Sequence, residues 1–177
     1  MTISINDNFI LTTIHRAENT NDSEKLSNIF DSLKEISKKN QVILPLHPRT
    51  KNILKENNIN TKGITILPPV GFINMVWLLS NCSVVITDSG GLQKEAYFHK
   101  KPCLTLREET EWVELVEHGV NILSSWRKSD ILDSFKKIEH IPKNNFSKQL
   151  YGDGNCSVFI LEKLISYRLF YSRLIYI

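Results

Sequence analysis

The chain has no C-x-x-C pair, and its three cysteines, Cys82, Cys103 and Cys156, are an odd number. Such a set makes neither a disulfide framework nor a zinc knuckle. Each thiol is expected to be a small buried hydrophobe in a reducing compartment. The N-terminus has no basic stretch followed by an apolar one, so no secretory leader is read there and the expected location is cytoplasmic. Charge of one sign is also scarce: 22 Lys and Arg stand against 19 Asp and Glu, a net +3. That balance argues for no nucleic acid, and it suits a small anionic ligand. The apolar tail "VFILEKLISYRLFYSRLIYI" is interrupted by Glu162, Lys163, Arg168 and Arg173. It therefore offers no run of about 18 uncharged residues, and no membrane span is expected. A Walker A loop and a G-x-G-x-x-G are both missing, as are internal repeats and low-complexity stretches.

What is present is an alternation. The 177 residues suffice for one domain with a core. Strand-like runs occur at "NFILTTIH", "QVILPLH", "GITILPP", "SVVITD", "PCLTL" and "VNIL". Helical spacing separates them. Leu26, Ile29, Phe30, Leu33 and Ile36 share one face of Glu24 to Ser37, with Asn21 and Asp22 as candidate caps. Further helices are expected in "TKNILKENN", from Phe72 to Leu79, Leu92 to Phe98 and Glu111 to Glu117, and over "SDILDSFKKI" with Ser129 as its cap. A last helix should cover much of Ser157 to Ile175, after a loop from Pro142 to Asn155. Short, nearly continuous apolar strands alternating with helices predict an α/β fold: a doubly wound, mainly parallel sheet with helices on both faces.

In such a sheet, ligands bind beyond the carboxyl ends of the strands. Those ends carry His15, His47, the Pro69 to Phe72 segment, Asp88 to Gly91, and Arg107. The first amides of a helix have no internal partner and sit at the positive end of its dipole. Glycine lets an anion approach them, so Ser89, Gly90 and Gly91 make a candidate phosphate cradle; a plain tight turn is the alternative. Glu95, one turn into the same helix, could accept from two ribose hydroxyls or be a solvated glutamate. Arg107 could meet a phosphate oxygen or pair with Glu108 or Glu111. His15 and His47 face a crevice or belong to the core. Phe72 holds a flat heterocycle or packs inside.

Four separated motifs, "HRAEN" (His15 to Asn19), "DSGGLQKEA" (Asp88 to Ala96), "KPCLTLREETEWVE" (Lys101 to Glu114) and "YGDGN" (Tyr151 to Asn155), occur in order. Together they resemble the C-terminal half of the non-hydrolysing UDP-N-acetylglucosamine 2-epimerases, over roughly residues 8–161. The resemblance implies a Rossmann-like fold that is one half of a two-domain GT-B-type architecture. It implies one nucleotide-sugar-binding domain over residues 1–155. The apolar tail itself, residues 156–177, is read as a helix packing on a second domain or subunit, and beyond about Leu161 it departs from the family pattern. The resemblance implies that Ser89, Gly90 and Gly91 bind the diphosphate of UDP, Glu95 the ribose, Arg107 phosphate, and the loop ending at Phe72 the uracil. His15 would be needed for activity, and His47 would lie on the sugar side. The reaction implied interconverts UDP-N-acetylglucosamine and UDP-N-acetylmannosamine by eliminating UDP across C1 and C2 and adding it back. No metal or other cofactor is expected.

The family's catalytic carboxylates belong to its N-terminal domain. The chain is therefore expected to bind UDP or a UDP-N-acetylhexosamine weakly and to be inactive without that domain or a complementing chain. A homo-oligomer is left open. The alternatives are the nucleotide half of a GT-B glycosyltransferase and a non-catalytic module that binds a nucleotide or a partner. Two departures from the family pattern stand out: Trp112 and Val113 replace a common arginine and proline, and Lys94 replaces a frequent acid. Neither is expected to touch a ligand residue.

Overall fold

The computed structural model describes residues 4–6 and 8–174, with side chains as far as residue 167. Its elements run β1 (Phe9–Thr13), α1 (Ala17–Thr20), α2 (Ser23–Ser37), β2 (Gln41–Pro45), α3 (Pro48–Glu56), β3 (Ile64–Leu67), α4 (Phe72–Asn81), β4 (Val84–Thr87), α5 (Gly90–Phe98), β5 (Cys103–Thr105), α6 (Val113–Glu117), β6 (Asn121–Leu123) and α7 (Lys128–Ile138). A 3-10 turn at Lys143–Phe146 and α8 (Cys156–Leu174) complete the chain.

Successive residues of a strand point to opposite faces, and here both faces are apolar. Ile10, Val42, Leu44, Val84 and Ile86 join Leu26, Ile29, Phe30 and Leu33 of α2 and Ile131 and Phe135 of α7 in one core. Their strand neighbours Phe9, Leu11, Ile43 and Val85 join Leu78 and Leu79 of α4 and Leu92 and Ala96 of α5 in the other. The six strands are parallel in the order β3-β2-β1-β4-β5-β6. The doubly wound α/β architecture expected from the sequence is thus present. Because every strand runs the same way, all carboxyl ends lie on one edge. The order reverses between β1 and β4, paired from Ile10↔Val84 to Thr13↔Thr87. That is where a crevice opens in folds of this class.

The local start signals explain most element bounds. Asp22 caps α2, its carboxylate accepting from the amides of Glu24 and Lys25, both at 3.0 Å. Pro48 opens α3 where its missing N–H costs nothing. Several expectations need correction. α5 begins at Gly90, two residues before Leu92, because Ser89 caps it. Ser129 is not the cap of α7; Arg127 holds that position, and the Ser129 hydroxyl donates to its neighbour Asp130 at 2.9 Å. Cys156 is exposed, whereas Cys82 and Cys103 are buried. Burial pushes both of those thiols up to about 12, so they stay protonated and unreactive.

Two compact units divide the chain, Met1–Phe146 and Ser147–Ile177. The first holds the sheet and both cores. The second holds α8, whose Val158, Phe159, Ile160, Leu161, Leu164, Ile165 and Tyr167 are all at least half exposed. Four of those are consecutive, so they point in every direction around the helix rather than along one stripe. No helix among the described residues is long and apolar enough to cross a membrane. The expected end of the last helix at Ile175 lies outside the described residues.

Candidate functional site

Asp88 is the first residue after β4, fully buried, and its carboxylate organises the crevice. A buried carboxylate accepts only, and it must find donors to offset its lost hydration. They all come from the segment after β1. The His15 amide donates to both oxygens at 3.2 and 3.1 Å, the Arg16 amide to one at 3.0 Å, and the Asn19 side-chain amide at 3.2 Å. Asn19 also donates to the Leu106 carbonyl at 3.2 Å and so ties the end of β5 to the same centre. The four-residue helix α1 is a product of this arrangement. It has no apolar period that the sequence could display, and it forms where Asp88 gathers the backbone that leads into it. The ring of His15 stands half exposed, with Nδ1 3.5 Å from Asp88 Oδ1.

The β4–α5 junction follows directly. The Ser89 amide is used internally, donating to Thr87 Oγ1 at 2.9 Å, and Thr87 Oγ1 lies 2.6 Å from Thr13 Oγ1 across the strand pair. Ser89 Oγ accepts from the Leu92 amide at 3.4 Å. That leaves the amides of Gly90 and Gly91, the first two of α5, with no intrahelical acceptor. Gly91 faces open space, and a side-chain carbon there would meet nothing within 4 Å. At Gly90 such a carbon would collide with the carboxylate of Glu111. A side-chain carbon at Gly90 would thus push the exposed Glu111 carboxylate from its place, and at Gly91 the bareness of glycine keeps the amide accessible.

Arg107, past the end of β5, is only 10% exposed in its side chain. Its guanidinium donates to Glu111 at 2.7 Å, and its Nε lies 3.5 Å from Glu18. Of the partners foreseen for it, Glu111 is the one found. The Glu111 carboxyl is held below its ordinary range by its own backbone amide first and by the Arg107 hydrogen bond second. The site therefore carries a mostly covered guanidinium held by exposed carboxylates, one of which lies against Gly90, and a helix start whose Gly91 is exposed.

A side-chain network behind α5 fixes its pitch. The fully buried Gln93 accepts from Thr110 Oγ1 at 2.7 Å and from Asn121 Nδ2 at 2.9 Å. Asn121 in turn accepts from Thr105 Oγ1 at 2.8 Å. Trp112 Nε1 donates to the Gly90 carbonyl at 2.8 Å, and Lys94 Nζ lies 4.5 Å from the centre of the same indole. The two departures noted in the sequence therefore face each other, and one of them touches Gly90. The expectation that neither reaches a ligand residue is corrected.

His15, Ser89, Gly90 and Arg107 are brought together through Asp88, Asn19 and Glu111. His47 caps α3, its Nδ1 accepting from the Arg49 amide at 3.2 Å. The adjacent Thr50 hydroxyl donates to the Ile14 carbonyl at 3.1 Å, so this turn is anchored to the end of β1. Phe72 opens α4 with 73% of its surface exposed, which removes the core reading, and Glu95 is exposed on α5. Among the described residues no hydrogen bond or ion pair joins the side chains of His47, Phe72 or Glu95 to the Asp88 network.

Known proteins are similar to this chain in sequence and in structure. A sequence profile described as UDP-N-acetylglucosamine 2-epimerase matches residues 2–165. The UDP-2,3-diacetamido-2,3-dideoxy-D-glucuronate 2-epimerase of Pseudomonas aeruginosa is 44% identical over 160 residues, covering 89% of this chain and 44% of that protein. The UDP-N-acetylglucosamine 2-epimerase of Methanocaldococcus jannaschii is 37% identical over 169 residues, covering 92% of this chain and 46% of that protein. Its crystal structure in complex with UDP-GlcNAc and UDP superposes with a TM-score of 0.82 at 37% identity, over 90% of this chain and 46% of that one. The chain thus spans about half the length of the curated relatives it matches. A profile match over nearly the whole length, relatives of this identity and a shared architecture lead to one assignment: the chain belongs to the UDP-N-acetylglucosamine 2-epimerase family.

Proposed function

We propose that this chain is the UDP-binding half of an enzyme that interconverts UDP-N-acetylglucosamine and UDP-N-acetylmannosamine. The single observation that carries the reading is the β4–α5 junction at the strand-order reversal. There α5 begins at Gly90, which lies against the Glu111 carboxylate that holds Arg107, and at the exposed Gly91, with the Ser89 hydroxyl capping the same turn; the present partners of Arg107 are exposed carboxylates. A diphosphate offers the charge and acceptors these groups lack. Phe72 receives the uracil, Glu95 the ribose hydroxyls, and His15 and His47 face the sugar.

In the reaction, the C2 proton is removed and the C1–O bond breaks with its electron pair leaving on UDP, which yields a glycal. UDP then returns to C1 as a proton is delivered to the other face of C2. Fixed amides and Arg107 stabilise the charge that grows on the departing diphosphate without reorganising. They also hold UDP where its return is effectively unimolecular. The carboxylates that exchange the C2 proton come from a second domain or a complementing chain, on which α8 packs. No metal or redox group is needed, and the enzyme works in the cytoplasm.

A second reading of the sugar has one observation in its favour. The relative at 44% identity is a 2-epimerase of a UDP-linked diacetamido uronic acid. The nucleotide assignments are the same under both readings.

Titration calorimetry of the chain with UDP tests the proposal. Weak saturable binding is expected, and it should be abolished by Ser89→Ala combined with Arg107→Ala. An absence of heat with the folded chain would overturn it. With UDP-N-acetylglucosamine the chain alone should form no manno epimer.

A further inference from the structure

We propose that Asp88 is a positioning residue for His15: it fixes which ring nitrogen carries the proton and leaves Nε2 as the basic atom offered to the sugar nucleotide. The inference deepens the reading above and rests on it for the role of His15. Its basis is geometric. Asp88 is the fully buried carboxylate of the crevice, and its donors all come from the segment His15 to Asn19. The two oxygens have different duties. Oδ2 takes the His15 amide at 3.1 Å, the Arg16 amide at 3.0 Å and Asn19 Nδ2 at 3.2 Å. Oδ1 takes the His15 amide at 3.2 Å and faces His15 Nδ1 at 3.5 Å.

A carboxylate only accepts. Nδ1 therefore faces it favourably only as N–H; a bare Nδ1 would set two acceptor lone pairs against each other. The separation is long for a hydrogen bond, and catalytic contacts of this kind often tighten when ligand binds. With its Nδ1 proton directed at Asp88, the neutral ring keeps Nε2 bare on a side chain that is 49% exposed. Because the His15 and Arg16 backbone is anchored to the same carboxylate, ring direction and main-chain position are set together. Asp88 touches no substrate. It acts through His15.

The test reads the tautomer directly. The full chain carries five histidines, so the His15 signal is identified by its loss in His15→Gln. Proton–nitrogen correlation of 15N-histidine-labelled, ligand-free protein at about pH 8.5, where ordinary imidazoles are neutral, reports the two ring nitrogens. The wild type is expected to hold His15 mainly as Nδ1–H. Asp88→Asn puts an amide donor where Oδ1 faces the ring, and the Nδ1–H to Nε2–H ratio should fall on the order of tenfold. Asn19→Ala removes a donor from Asp88 without changing what faces Nδ1, and it should keep the wild-type tautomer. His15 found mainly as Nε2–H in the wild type would overturn the proposal. So would a folded Asp88→Asn variant with an unchanged ratio. Should that variant not fold, the wild-type spectrum decides alone. UDP calorimetry on the same samples separates the two readings: the expected tautomer without UDP binding would sink the nucleotide assignment and leave this one standing.

Discussion

Asp88 and Glu111 both place a carboxylate near the first turn of α5, in opposite surroundings. Asp88 has no exposure, and its donors are backbone amides and one buried side chain. Glu111 is 44% exposed in its side chain, and its main partner is the guanidinium of Arg107. The first belongs to the scaffold: losing it would leave the buried Asn19 side chain and the partly buried His15 and Arg16 amides without the carboxylate that gathers them. The second is exchangeable. An ion pair with one exposed member contributes about 0–1 kcal/mol, so an incoming anion can take Arg107 from it at small cost. One edge of one sheet thus carries a rigid centre that holds the His15 segment and a loose clasp suited to release and regrip.

Removing each carboxylate should break or sharpen this contrast. The largest effect is expected from Asp88→Ala, a loss of about 3 kcal/mol in denaturant unfolding, because its donors to charge are left unmade. A loss below about 1 kcal/mol would erase the distinction between the two carboxylates. The smallest effect is expected from Glu111→Gln, whose stability near neutral pH should lie within about 1 kcal/mol of the wild type. Its pH dependence has a definite sign. The folded carboxyl sits below its ordinary value of 4.5, chiefly through its own amide and then through Arg107. Its contribution is therefore complete above 4.5 and is lost as pH falls through the folded value. Wild type and Glu111→Gln should converge in that acid range, and unfolding curves that stay parallel from pH 6 to 3 would contradict the account.

Much of the fold was legible because the apolar runs are long enough to show their period. The α2 face from Leu26 to Ile36 and the Asp22 cap appear in the structure as read. The failures share a physical cause: they lie where side-chain chemistry, not hydrophobic period, decides. α1 has no apolar stripe and depends on Asp88, a partner 72 residues from Arg16. α6 starts at Val113 rather than Glu111 because Thr110 Oγ1 accepts the Trp112 amide and Glu111 is drawn to Arg107. The strand ends point to Asp88 through Gly91 and to Arg107, but they assign no role to Asp88, and Asn19 shows only as a letter of its motif. The signal that marks them is a short acid placed directly after the buried strand β4, which must meet donors from the neighbouring strand's loop. In the sequence Trp112 and Lys94 stand as separate changes. Their contact depends on the turn between β5 and α6, which the sequence spacing does not reveal.

The central claim is that the opening of α5 grips the diphosphate of UDP. Amide spectra of the 15N-labelled chain recorded during addition of UDP test it most directly. Saturable shifts centred on Gly90, Gly91 and Leu92, with Arg107 following, are predicted. Shifts centred elsewhere on the chain, or none at millimolar UDP, would contradict it.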